Sequence, residues 1–202
     1  MAQEAKVYKG SLTREQFLFH EMRITANLLN EGMSSEEAVE KIVSENLFQF
    51  PTEKMIMNIA KVCVRRLEGM EDANLIHGIA TETNNVSKQI CLYAMMLDSR
   101  LLADFMVTVI GEKYRTRDYS FGAIDLNTFF ARLQEQNEKV ATWSESTIKK
   151  IKTVIKNVLK ENGYIDSPNA TTLNTVLVDP RLAVAIREKN EAELLVAFNC
   201  FS

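Results

Sequence analysis

The stretch from Trp143 to Val178 constrains this chain most, because it carries the start, the faces and the stop of one helix and then turns to another kind of structure. From Ser144 to Lys160, Ile148, Ile151, Ile155 and Val158 recur at helical spacing and define a buried face. Lys149, Lys152, Lys156 and Lys160 recur at the same spacing and define another face. With Lys150, five lysines stand there against one acid, Glu145. Two starts are available. Thr142 with Glu145 matches a capping box, and Ser144 is the alternative cap, with Trp143 stapled onto Ile148. The stop is Asn162-Gly163, residue types that tolerate left-handed backbone, and Leu159 and Tyr164 stand where a Schellman ending makes its hydrophobic contact.

Past the stop come Tyr164-Ile165, the turn formers Asp166 to Asn169, and the Thr-, Val- and Leu-rich run Thr171 to Val178. This pattern predicts two short strands joined by a turn. Upstream, Leu126 to Gln136 predicts the preceding helix, capped by Asp125. Together these are the order of a winged helix-turn-helix, whose second helix suits a DNA major groove. The expected fold class is mainly α, with helix-turn-helix units and a small β wing in the C-terminal part. A lysine stripe alone is as readily the solvated face of a core helix. The wing tips the reading towards DNA.

Charge narrows where such a contact would sit. The 202 residues carry a net charge of −3, so the molecule as a whole is no nucleic-acid sponge. Residues 126–168 hold seven basic and five acidic side chains, the only segment in excess of base, while residues 1–72 hold nine and twelve. Long-range steering would therefore be weak and any nucleic-acid contact local.

A second helix-turn-helix outline lies nearer the N-terminus. Leu12 to Leu29 predicts a helix capped at Ser11 or Thr13, with Phe17, Ile24 and Leu28 on one face, ended by Glu31-Gly32. Ser34-Ser35-Glu36-Glu37 is a capping box opening a short helix to Val43. Asn46 to Pro51 is a turn, since the residue before proline is pushed out of helical geometry. Thr52 then opens a helix to Leu67, closed by Gly69. Ile56, Ala60, Cys63 and Leu67 form its core stripe, and Lys54, Asn58, Lys61 and Arg65 the opposite one. No wing follows it and acids surround it, so a packing or partner-binding unit is the favoured reading there.

Asp72 to Thr83 predicts a further helix, broken by Asn84-Asn85. Val86 to Glu112 reads as one long helix, or as two joined near Asp98–Arg100, apolar enough to be the central packing element. Tyr114 to Ala123 reads as a loop, and Asp179-Pro180 as the start of a last helix that packs back through Leu182, Ile186, Leu194, Leu195 and Phe198. The domains expected are residues 1–72, a helix-turn-helix-like module; 73–125, central helices; and 126–202, the winged module with its C-terminal helix.

Signals for chemistry are missing. His20 and His77 have no neighbouring ligand or nucleophile at useful spacing and read as structural. There is no Gly-rich phosphate loop, no paired-cysteine zinc pattern and no nucleophile elbow. Cys63, Cys91 and Cys200 are too few and too far apart for a disulfide framework, which favours a reducing cytoplasm. The N-terminal Met1 to Lys6 holds no apolar signal-peptide stretch, and no window approaches the ~20 apolar residues of a membrane span. We expect a protein that is not an enzyme, needs no cofactor and no metal, and does not enter a membrane.

Several short stretches stand in a telling order: Tyr8 with the following helix and its Glu21; Ser44 to Pro51; Arg65-Arg66-Leu67; and Trp143 to Thr147 running into Leu159 to Ile165. In their order and spacing the chain resembles the BrxA family of bacteriophage-exclusion (BREX) defence systems. The resemblance implies an all-helical protein with helix-turn-helix units, a non-enzymatic role on double-stranded DNA, and work beside the methyltransferase and other BREX components. Members have also been likened to an RNA-binding antitermination factor and labelled inner-membrane proteins. The hydropathy of this chain argues against the membrane label.

The expected DNA contacts are Ser144, Ser146, Thr147, Lys149, Lys150, Lys152 and Lys156, with Lys54, Asn58, Lys61 and Arg65 as the secondary set. Hydroxyls at a helix N-terminus suit phosphates and base edges, and lysines suit phosphates. The rival readings are a helical protein-interaction scaffold and an RNA-binding protein. The second wants exposed aromatics, whereas Phe129, Phe130 and Trp143 read as core.

Overall fold

Residues 7–201 are described by the computed structural model, so the reading of Met1 to Lys6 lies outside the described residues. The chain is mainly helical and divides into two compact units, Phe17–Asp98 and Met1–Gln16 with Ser99–Ser202. These boundaries differ from the three segments expected, because the division follows packing between distant stretches rather than local pattern.

In the Phe17–Asp98 unit, α1 (Phe19–Asn30) begins seven residues later than expected, behind Leu18, which is left-handed at φ 57°. The expected single helix from Leu12 is instead a 3-10 turn, Gly10–Thr13, and then this one. The Thr13 hydroxyl donates to the Gly10 carbonyl at 3.0 Å, a local bond that competes with helix propagation. Of the face expected, Phe17 and Leu28 are buried and Ile24 is half-buried. Gly32, at φ 94°, closes α1: its N–H donates to Leu29 O and the Met33 N–H to Leu28 O.

Helix α2 (Ser35–Ser44) starts at the expected capping box. Glu37 N–H donates to Ser34 Oγ at 3.2 Å, and Ser34 N–H to Glu37 Oε2 at 2.8 Å. Asn46 closes the turn to Pro51 by bonding both the N–H and the carbonyl of Phe50 at 3.1 Å. Helix α3 (Glu53–Glu68) follows with Thr52 as cap, and its stripe Ile56, Ala60, Cys63 and Leu67 is buried as expected. Helix α4 (Ala73–Thr81) is capped by Asp72. The Asn84-Asn85 break falls slightly earlier, because Asn84 already opens α5 (Asn84–Asp98). Ile90 to Met96 of α5 are all buried, the central packing element of this unit.

In the other unit, the run expected to reach Glu112 breaks at Ser99, whose hydroxyl caps α6 (Arg100–Phe105). The chain then widens into a π turn, Met106–Gly111, and continues as α7 (Glu112–Thr116), so part of the expected loop after Tyr114 is helical. Gly111 makes room here, since a Cβ on it would stand 2.6 Å from Val196 Cγ2. A side chain there would displace the C-terminal 3-10 turn, Ala192–Phe198. Helix α8 (Ala123–Gln136) starts before Leu126, and Asp125 is not its cap residue. It sits in the first turn and accepts the Gly122 N–H at 2.7 Å. Lys113 joins it to the preceding loop, 2.9 Å from both Asp118 and Asp125. Helices α9 (Glu138–Ala141), α10 (Glu145–Glu161) and α11 (Pro180–Glu188) complete the unit. Asp179 caps α11 as expected, and Leu182, Ile186, Leu194, Leu195 and Phe198 are buried.

The β wing is the expectation that fails. Among the described residues the only β pairing is a single bridge, Ser120 to Thr172. The run from Thr171 is shared between two neighbours instead of pairing along Tyr164-Ile165. Phe121 N–H donates to Thr171 O at 2.9 Å and Leu173 N–H to Tyr119 O at 2.7 Å, while Asn174 N–H donates to Tyr164 O at 2.8 Å. The Tyr114 hydroxyl then donates to the Asn174 carbonyl at 2.6 Å. Beyond Asn174 the run is left without a ladder, and Leu177 is 80% exposed.

Candidate nucleic-acid interface

Helix α10 is built as its sequence dictates. Of the two possible starts, Ser144 is the cap: its Oγ accepts the Thr147 N–H at 3.2 Å. At the other end Gly163, at φ 74°, donates to Lys160 O and Tyr164 to Leu159 O, both bonds of a Schellman ending. Ile148, Ile151, Val154, Ile155, Val158 and Leu159 are all buried. Removing one such side chain, as in Ile155→Ala, would cost about 2–5 kcal/mol.

The opposite side is open. At roughly 100° per residue, Lys149, Lys156 and Lys160 form one row and Ser146, Lys150 and Asn157 another, with Thr153 between them. Lys149, Lys150 and Lys160 are exposed and Lys156 half-buried. None of the four is in a salt bridge among the described residues. Thr153 and Asn157 were not singled out from the sequence, although their spacing of three and four residues from the lysines was the signal. At the N-terminal end, Ser144 Oγ lies 2.9 Å from both Ser146 Oγ and Thr147 Oγ1, a cluster of three hydroxyls over the first turn.

Lys152 has a different role from its neighbours in the stripe. Its ammonium is 2.8 Å from Asn127 Oδ1 of α8 and 5.3 Å from the centre of the Phe130 ring. Burial pushes its pKa down. It ties α8 to α10. Thr147 is half-buried because the Gly10–Thr13 turn lies beside it. A Cβ built on Gly10 would be 3.7 Å from Thr147 Cγ2 and 4.0 Å from the Trp143 ring. Tyr8 anchors that turn, donating from its hydroxyl to Asp104, with the Arg100 guanidinium 4.4 Å over its ring. Burial and the Asp104 carboxylate together push the Tyr8 hydroxyl up to about 12.

In α3, Lys54, Asn58, Lys61 and Arg65 are all exposed, the same outline as in α10. Arg65, however, grips Asp98 with both arms of its guanidinium, at 2.7 and 2.8 Å. Arg66, only 1% exposed, shares the same carboxylate at 3.3 Å. Burial alone would raise the Asp98 carboxyl, but the Arg65 hydrogen bonds and the two positive charges outweigh it and hold it below its ordinary value. Arg65 thus belongs to an ion-pair network, leaving Lys54 and Lys61 as the cations of this stripe. Cys63 and Cys91 are buried thiols pushed up by desolvation, as expected of small core side chains.

Among the described residues no helix is long and apolar enough to cross a membrane. Comparison with known proteins places the chain. The family model for BrxA matches residues 6–190. A relative from Bacillus cereus (strain H3081.97), named BREX protein BrxA, is 38% identical over 160 residues, 79% of this chain and 80% of its own. Another of that name, from Escherichia coli O9:H4 (strain HS), is 24% identical over 195 residues, 96% of this chain and 91% of its own. The crystal structure of an uncharacterized protein from Magnetospirillum magneticum is similar in fold, with a TM-score of 0.80 and 23% identity over 95% of this chain and 97% of that one. The chain belongs to the BrxA family.

Proposed function

We propose that this protein is a non-enzymatic component of a BREX phage-defence system that binds double-stranded DNA through α10, works in the cytoplasm, and acts beside other components of that system. The observation that carries the DNA reading is the outward face of α10. Three exposed lysines and one half-buried lysine stand there outside any ion pair among the described residues, on a helix capped by Ser144 and preceded by α8 and the short α9. Lysines bind phosphates as point charges, and the N–H groups and hydroxyls of a helix start suit a phosphate or base edge. The names of the relatives support the defence role. The RNA reading finds less support from the aromatics near α10: Phe130 is buried, Phe129 packs edge-on against Phe105 and Phe130, and Trp143 is half-buried, so these three offer no row of open faces for bases to stack on.

The test is an anisotropy titration of a labelled duplex across a salt series, repeated with RNA as competitor. If four lysines each neutralise one phosphate, log K should fall against log salt with a slope of about −3.6, at about 0.9 per contact. No duplex binding at low salt would sink the reading, and displacement by RNA at equal concentration would redirect it.

A further inference from the structure

Helices α2 and α3 leave between them a groove with a cavity volume of about 1040 Å³. Val39, Val43, Phe50 and Met57 line it half-exposed, over buried Ile56 and Val64. Glu36, Glu40, Glu53 and Glu68 stand around it. The cations at the groove are Lys61 and Arg65, and the charge of Arg65 is matched by Asp98. An apolar floor with an acidic rim repels a phosphate backbone, so this surface does not extend the DNA face. A groove between two helices with apolar side chains at intervals along its floor suits an amphipathic helix laid along it. We propose that this groove receives a helix of a partner protein that carries lysine or arginine beside an apolar stripe. A second copy's basic helix does not meet this description: the apolar side of α10 is buried in its own unit, so it has charge to offer but no stripe. The inference is independent of DNA binding, which uses the other unit.

The experiment uses the full chain without DNA and a labelled peptide of about four helical turns, made of leucine at i, i+3/i+4, i+7 spacing with lysine elsewhere. A twin peptide carries glutamate in place of lysine. We expect the lysine peptide to bind about tenfold or more tighter than its twin, since several exposed charge contacts, each weak alone, act together. Glu40→Lys with Glu68→Lys should weaken it about tenfold. Val43→Asp, and separately Met57→Glu, should do the same by spoiling the floor, each variant being checked for native circular dichroism. Glu135→Lys with Glu138→Lys, the same charge change in the other unit, should leave binding intact. Equal binding of the two peptides, indifference to the groove variants, or an equal loss in the control pair would overturn the proposal. So would a dimer of the free protein that Val43→Asp dissociates, which would give the groove to a second copy.

Discussion

Helices α3 and α10 carry one plan, an apolar stripe beside a polar-basic one, and put it to different ends. In α10 the outward lysines are outside any salt bridge among the described residues, and one former member of the stripe, Lys152, has been drawn in to hold α8. In α3 the member drawn in is Arg65, and with Arg66 it holds the last residue of α5. What remains in α3 is Lys61, among the glutamates of the groove, and Lys54, next to Glu53 in the chain. A stripe of positive charge is therefore not one kind of surface. What it can bind depends on which of its cations the fold has already used and on the sign of the charges beside it.

The largest effect should come from the network in α3. Asp98→Ala leaves Arg66 buried without its carboxylate and should destabilise the protein by about 3–5 kcal/mol in urea unfolding. The pH dependence has a definite sign. A carboxyl held low in the folded state contributes stability above its unfolded pKa of about 3.9, and that contribution fades as pH falls through the lower folded value. The gap between wild type and Asp98→Ala should therefore be full at pH 7 and narrow in acid. An unchanged gap at low pH would mean that the charge of Asp98 is not what matters.

Next in size is the DNA face. Lys149→Glu with Lys150→Glu should weaken duplex binding about tenfold to a hundredfold and flatten the salt slope by about two units, without a shift in the unfolding midpoint. Both side chains are exposed, so a folded double variant with unchanged affinity would remove α10 as the reading helix. For α3 the matching probe is Lys54→Glu with Lys61→Glu, because reversing Arg65 would set a carboxylate against Asp98 and cost stability. Less than about a threefold change in duplex affinity is expected there, within the small range of exposed charges. A loss as large as in α10 would show that both helices touch DNA. The smallest effect is Lys152→Met. It removes the bond to Asn127 and should lower stability by about 1 kcal/mol while leaving the salt slope within half a unit.

Much of this was legible in residues that act on their near neighbours. The Ser34 capping box, the Thr52 and Ser144 caps, the Gly163 stop, the Asp179-Pro180 start and the buried stripes of α3 and α10 all stand where the sequence put them. Each cap, start and stop is decided by groups within about four residues, the reach of a helical hydrogen bond, and the stripes are marked by apolar residues at helical spacing. The same locality explains the break at Ser99 between apolar runs, one of two readings that periodicity alone left open.

What the fold decided alone lies at longer range. Thr171 to Val178 has the composition of a strand, but a strand needs a partner along its length, and its first residues are divided between Tyr119–Phe121 and Tyr164. Local propensity cannot say which distant carbonyls an N–H will meet. Whether Arg65 faces solvent or an acid depended on Asp98, 33 residues away, and the shelter over Thr147 depended on Gly10. The open lysines of α10 are one more case. Helical spacing put them on a common face, but only the packing of the other elements left that face uncovered.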